Sequence, residues 1–258
     1  ANTEPAMEQL LNYRFTEGSL AGQSFGNLFL AAMNGISGSF DEAVHRMGEV
    51  LAITGRVLPV TNQDVRLEAE FVDGSRVLGE SKIFYAKKLR DCRIHQVRLV
   101  PEHPRPLPEA LEAIADADVI IIGPGSLYTS LIPNFLVDGV ADAIRASRAL
   151  KLYVLNIMTQ DGETDGYSAA DHLRALISHA GEGVVDLCVA NSRRVPVEYL
   201  QPYLAEGVSQ LWPEAEEFER LGIRLRQFPL SEGGRYIRHN SDELAKAIMC
   251  LWDEFRGA

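Results

Sequence analysis

The sequence predicts an α/β fold with a mainly parallel sheet covered by helices and a small antiparallel excursion. Three observations carry that expectation. Beyond residue 108, short continuous apolar runs alternate with helical stretches, the pattern of parallel strands buried on both faces. Before it, Val65–Phe71 alternates apolar with polar and runs into Asp73-Gly74, a hairpin turn signal. Finally, 46% hydrophobic against 24% charged residues over 258 positions supplies a full core and excludes disorder.

Taken in order, Glu8–Phe15 reads as a short helix. Leu28–Met33 is so uniformly apolar that it should be buried on most sides, and Asn34-Gly35 should stop it. Ser39 is an N-cap for a helix over Phe40–Ala52. Val57–Val60, Val65–Phe71 and the return from Val77 read as strands, so residues 56–83 form a hairpin excursion within one domain spanning 1–258. Ile94–Val100 is another strand. Pro101–Pro108 holds four prolines and can be only a stiff connector.

The alternating half follows. Strands are expected at Val119–Ile122, which reads as buried, and at Leu152–Leu155, Val184–Ala190 and Ile223–Phe228. Helices are expected at Glu109–Ala115, Pro133–Ala146, Ser168–His179 and Val197–Leu204, and at Asp242–Glu254 with Ser241 as cap.

Charge and cysteine content narrow the function. A formal net charge of -11 repels nucleic-acid backbones and anionic membranes, so neither is an expected partner. No apolar run approaches the ~18 residues that span a bilayer. Cys92, Cys188 and Cys250 are scattered and odd in number, which fits a reducing cytoplasm and neither a disulfide framework nor a zinc clip.

Two polar segments at successive strand ends are the candidate site, because ligands of open parallel sheets sit at the carboxyl ends of strands. The first is Gly123-Pro124-Gly125-Ser126-Leu127-Tyr128-Thr129-Ser130. Its glycines permit close backbone approach, and Ser126, Thr129 and Ser130 offer hydroxyls and N–H groups to phosphate or sugar oxygens. The second runs from Asn156 through Met158, Thr159 and Gln160 to Gly162-Glu163-Thr164. Asp161, Glu163 and Asp165 are the only candidates for a hydrated magnesium, although closely spaced loop acids are more often simply solvated. His172 and His179, seven apart, read as packing residues on one helix face, since no metal-ligand spacing exists. Arg235 and Arg238, after Gly233-Gly234, are candidates for phosphate contact or for pairing with surface acids.

Together Gly26-Asn27-Leu28-Phe29-Leu30-Ala31-Ala32-Met33, Ile122–Asn134, Asn156–Thr164 and Ile237-Arg238-His239-Asn240 resemble the YvcK branch of the CofD-like family, a gluconeogenesis-factor family. The resemblance implies a three-layer Rossmann-like sandwich and binding of UDP-N-acetylglucosamine without catalysis. It also implies a role in cell-wall homeostasis, cell shape and growth on gluconeogenic carbon. It implies ligand contacts from Asn27, the two strand-end segments, Tyr203 and Arg238, with no resident metal or cofactor. It leaves a homodimer open. Family members begin with a strand and a Gly-rich loop that have no counterpart here, so the chain is expected to start inside the domain. The alternative is the other branch's chemistry, a magnesium-dependent 2-phospho-L-lactate transferase acting on a deazaflavin acceptor.

Overall fold

The computed structural model describes residues 5–90, 92–233 and 236–257. They divide into two compact units: one runs to Gln63 and takes in Arg105–Ala110, and the other comprises Asp64–Pro104 and the chain from Leu111 onward.

The first unit is helical. Helix α1 (Pro5–Asn12) is followed by α2 (Phe25–Ile36) and α3 (Phe40–Val50). Ser24 and Ser39 cap the latter two, their hydroxyls accepting the Asn27 and Glu42 N–H groups. Helix α2 runs through Asn34-Gly35, because one interior glycine costs only about 1 kcal/mol and does not end a helix. It is also less buried than its composition predicts. Met33 alone is buried, while Ile36 is 72% exposed, because within this unit α1 and α3 supply most of the packing on it. Val57–Val60 forms no strand. The Val60 carbonyl accepts one bond from Leu107 N–H, and Pro59 has no donor for a ladder.

The second unit holds both sheets. The strands β1 (Arg66–Phe71), β2 (Arg76–Leu78) and β3 (Ile94–Val100) form an antiparallel sheet in the order β2-β1-β3. Alternation puts Leu67, Ala69 and Phe71 inside, while outward Glu68 stands opposite Arg98 and pairs with its guanidinium. Helix α4 (Glu80–Arg90), between β2 and β3, has no counterpart in the sequence expectation. Among its described side chains only Ile83 and Lys87 are buried, so its sequence carries almost no apolar period.

After α5 (Pro108–Ala115), the parallel sheet is β4 (Val119–Ile122), β5 (Leu150–Val154), β6 (Leu187–Asn191) and β7 (Arg224–Phe228), hydrogen-bonded in that order. Strands β5 and β6 are buried throughout, as continuous apolar strands should be. Strand β4 departs from its expectation: it is an edge strand, so Ile121 is 47% exposed and only Ile122 is buried. The expected helix Pro133–Ala146 is broken. A single wide turn over Leu127–Leu131 leads into α6 (Ile132–Phe135), and α7 (Val140–Ala146) starts after Gly139 at φ +76°. Helix α8 (Ala169–Ala180) opens with a capping box between Ser168 and Asp171.

Beyond β6 come α9 (Val197–Leu204) and α10 (Ala215–Arg220), and beyond β7 a two-stranded ribbon of β8 (Ser231–Glu232) and β9 (Arg238–His239). The last helix, α11 (Ser241–Arg256), is capped by Asn240 rather than Ser241. Its Ala247 and Leu251 cover Leu150, Leu152, Val154, Leu187 and Val189 on one sheet face. On the other face Tyr153 and Cys188 are also fully buried, which makes the layers helix, sheet, helix. Among the described residues no helix is long and apolar enough to cross a membrane.

Three histidines are held in or beside this core by hydrogen bonds to the backbone. His179 donates from Nδ1 to the Ala175 carbonyl at 2.7 Å and accepts from Val97 N–H at Nε2, 3.0 Å away. His172 bonds the Ser168 carbonyl through Nδ1 at 2.9 Å, and His239 reaches the Leu155 carbonyl through Nε2 at 3.1 Å. Burial holds all three below the ordinary histidine value. The unfolded chain therefore binds more protons than the folded one once pH falls toward about 6.5, and stability is lost in that direction. The urea midpoint should drop steadily between pH 7.5 and 5.5. An unchanged midpoint across that window would show that these rings are not held neutral.

Candidate functional site

The two strand-end segments are joined directly. Gly123 leaves β4 at φ +87°, where a Cβ would stand 3.1 Å from the Val154 carbonyl oxygen, so only glycine lets the loop lie this close to β5. Two residues on, Gly125 and Asn156 clasp each other. The Gly125 N–H donates to Asn156 Oδ1 (3.2 Å) and Asn156 Nδ2 donates to the Gly125 carbonyl (2.9 Å). Ser126 Oγ then donates to Gln160 Oε1 at 2.8 Å. Of the residues expected here, Pro124 and Ser130 are exposed, whereas Ser126, Thr129, Asn156 and Gln160 are half-buried.

Leu127, Met158, Thr159, Glu163 and Thr164 are buried. Thr159 exchanges two bonds with Ser209, at 2.8 and 2.9 Å, and the Thr164 hydroxyl accepts from Gln160 N–H at 2.9 Å. These residues hold the loops from below.

Glu163 changes the electrostatic reading. Its Oε1 accepts the N–H groups of Tyr128 (3.1 Å) and Thr129 (2.9 Å), the donors that the sequence offered to a phosphate. An internal carboxylate thus occupies the positive end of that turn. Its second oxygen, Oε2, is buried with no protein partner, and the residue is 2% exposed. Burial pushes the carboxyl above the ordinary glutamate value, against the pull of the Thr129 and Tyr128 hydrogen bonds.

The neighbouring acids are consumed by α4. Lys88 pairs with Asp161 at 2.5 Å, and buried Lys87 pairs with Asp165 at 2.9 Å. Asp165 also accepts from Gly162 N–H at 3.1 Å. With Asp161 and Asp165 neutralised and Glu163 capping a turn, these three do not make a magnesium site. Among the described residues no other group of three suitable ligands exists.

Tyr203 and Arg238 lie at the same carboxyl edge of the sheet. His239, next to Arg238, bonds the carbonyl of Leu155, the residue before Asn156. Arg238 is exposed, with its guanidinium 5.9 Å from the centre of the Tyr236 ring. Tyr203 braces this ribbon: its hydroxyl accepts from Ile237 N–H at 2.8 Å, and its ring packs on the cluster of Ile157, Met158, Val195 and Val208. The more accessible tyrosine is Tyr199, which with Arg193, Ile237 and Asn240 lines a polar cleft of about 330 Å³. A second cleft, of about 310 Å³, lies between α4 and the first loop, lined by Ser126, Thr129, Gln160 and Glu163. Arg238 lines neither. Asn27 is exposed on the first turn of α2 in the other unit, and Arg235 lies outside the described residues.

The family model described as 2-phospho-L-lactate transferase CofD matches residues 1–231. This chain belongs to the CofD-like family. Its relatives include a "Putative gluconeogenesis factor" of Thermoanaerobacterium thermosulfurigenes, 49% identical over 251 residues, covering 97% of this chain and 77% of that protein. The gluconeogenesis factor of Halalkalibacterium halodurans is 41% identical over 96% of this chain and 77% of its own length. The Clostridium acetobutylicum relative, 45% identical, is longer, and this chain spans 55% of it. A crystal structure of a UPF0052-family member from Bacillus halodurans superposes with a TM-score of 0.90 at 41% identity, over 96% of this chain and 80% of that one.

Within this CofD-like chain the residues that sequence reading missed are on α4 and around Arg193. Lys87 and Lys88 carried a usable signal, because adjacent lysines complement Asp161 and Asp165 four residues apart. Gly162 ties α4 to the loop. At φ +73°, a Cβ there would stand 2.6 Å from the Phe84 ring. Gly162→Ala should therefore destabilise the fold by roughly 1–3 kcal/mol, through overpacking and backbone strain together. Chemical denaturation reads this directly, and a change below about 0.5 kcal/mol would mean that Phe84 is not seated there.

Proposed function

We propose that this chain binds UDP-N-acetylglucosamine in the cytoplasm as a regulatory protein rather than an enzyme, and thereby serves cell-wall homeostasis and cell shape during growth on gluconeogenic carbon. The observation that carries this reading is the shared edge. The Asn156–Gln160 segment, the β8–β9 ribbon bearing Arg238, and the cleft with Arg193 and Tyr199 all lie at the carboxyl ends of β5 and β6. Ligands of open parallel sheets bind there. Two guanidiniums on an otherwise acidic protein suit a diphosphate, and a half-exposed tyrosine suits a base. The names of the relatives agree with a gluconeogenic role.

The transferase reading has the family description in its favour. Against it stands the engagement of Asp161 and Asp165 with lysines, which removes the carboxylates that would carry magnesium. It predicts turnover of a deazaflavin acceptor, and the binding reading predicts none.

A ligand that binds only the folded state stabilises it by about 2.7 kcal/mol at a hundredfold excess over its Kd, which for a chain of this size is a melting shift of about 5–10 °C. UDP-N-acetylglucosamine should produce that shift in the wild type. Arg238→Ala should abolish it while leaving the unliganded melting temperature within a degree or so. No shift in the wild type at millimolar ligand sinks the reading.

A further inference from the structure

The cleft between α4 and the first strand-end loop has features that a diphosphate does not use. Its floor is Glu163, whose Oε2 has no protein partner although the residue is almost completely buried. A buried acceptor left unpaired is unfavourable, so a hydrogen-bond donor that reaches it is favoured. Around it the cleft presents Ser126, Thr129 and Gln160 from the two loops and Glu80 and Ser81 from α4. These are hydroxyls, an amide and a second carboxylate, a set rich in acceptors.

Charge then selects the occupant. The nearest cations do not offset the two glutamates, because Lys87 and Lys88 are already paired with Asp165 and Asp161. The N–H donors of Tyr128 and Thr129 are filled by Glu163 itself. An anion entering the cleft would meet two carboxylates, with the Tyr128 and Thr129 N–H groups already occupied. A neutral group bearing several hydroxyls meets acceptors on the floor and an aromatic wall. Phe84 sits edge-on to Tyr85 at 5.4 Å between ring centres, and Tyr85 is 63% exposed. The C–H face of a pyranose packs on such a ring while its hydroxyls reach the polar side.

We infer that this cleft is a carbohydrate subsite, in which Glu163 Oε2 accepts a sugar hydroxyl and Tyr85 flanks the ring. A nucleotide-sugar then binds with its sugar at α4 and its phosphates away from the Gly123–Ser130 loop. The inference rests on the nucleotide-sugar reading, and it reassigns that loop from phosphate to sugar.

The test compares UDP-N-acetylglucosamine with UDP by calorimetry, on the wild type, Tyr85→Ala and Glu80→Gln. Both substituted positions lie outside the loop contacts, so the fold should survive either change. The wild type should bind the sugar nucleotide at least tenfold more tightly than UDP. In Tyr85→Ala that preference should fall to threefold or less, with the Kd for UDP unchanged. Equal affinity of the wild type for both ligands overturns the subsite and leaves the nucleotide reading standing. So does a preference that survives Tyr85→Ala and Glu80→Gln alike. Binding of neither ligand overturns both proposals together. A cleft that answers to spermidine instead, competing with the sugar nucleotide, would identify a cation site and overturn the carbohydrate assignment.

Discussion

The capping of Tyr128 and Thr129 by the Glu163 carboxylate is the constraint on which the site depends. A wide turn at the end of an edge strand leaves several N–H donors without intrahelical partners. In many α/β proteins such donors await a phosphate. Here a side chain from the next strand-end segment fills them, which ties the two loops together and fixes the sign of the local field. Every later feature follows from that occupancy. The carboxylate must be buried to reach the donors, and once buried it presents one satisfied and one unsatisfied oxygen. The acids on either side of it must then find partners elsewhere, and α4 supplies two lysines.

Helix α4 is for this reason tied to the strand-end loop as well as to the antiparallel sheet. It is held by Lys87 and Lys88 at one end and by the Phe84 contact with Gly162 in the middle. A buried ion pair such as Lys87–Asp165 adds little net stability over apolar residues of the same size, but it is costly to break once made. It fixes how far α4 stands from the loop, and therefore the width of the cleft. The cleft is thus built from two parts, the parallel sheet supplying the loops and helix α4 supplying the wall.

Much of this was legible in the residues and the rest was hidden for definable reasons. Strands β5 and β6 are buried on both faces, so their apolar runs announced them, and the clasp between Gly125 and Asn156 joins the two successive strand-end segments that the sequence singled out. Edge strand β4 carries the same apolar run as a central strand, and Ile121 could not reveal from sequence that one flank is open. Helix α4 was invisible because it buries a lysine where a periodic pattern would show an aliphatic residue. The hydroxyls and glycines of Gly123–Ser130 pointed to a binding loop. Nothing local to that loop could show that a glutamate more than thirty residues away occupies its donors, since that depends on the register between β4 and β5.

Such a register-dependent contact also bears on how one fold serves different ligands. On the carbohydrate proposal, the same turn would take an anion with its donors open and takes neutral hydroxyls with a carboxylate in place. The backbone need not move to convert one into the other, and only the residue at the Glu163 position has to change. On that proposal, selectivity between phosphate and sugar at this edge depends on a side chain whose own contacts are structural. Substituting it alters the fold's stability and the ligand's charge preference together, so neither effect can be read without the other. Contacts on the opposite wall, at Tyr85 and Glu80, are free of that coupling. They are the positions at which recognition can be separated from folding.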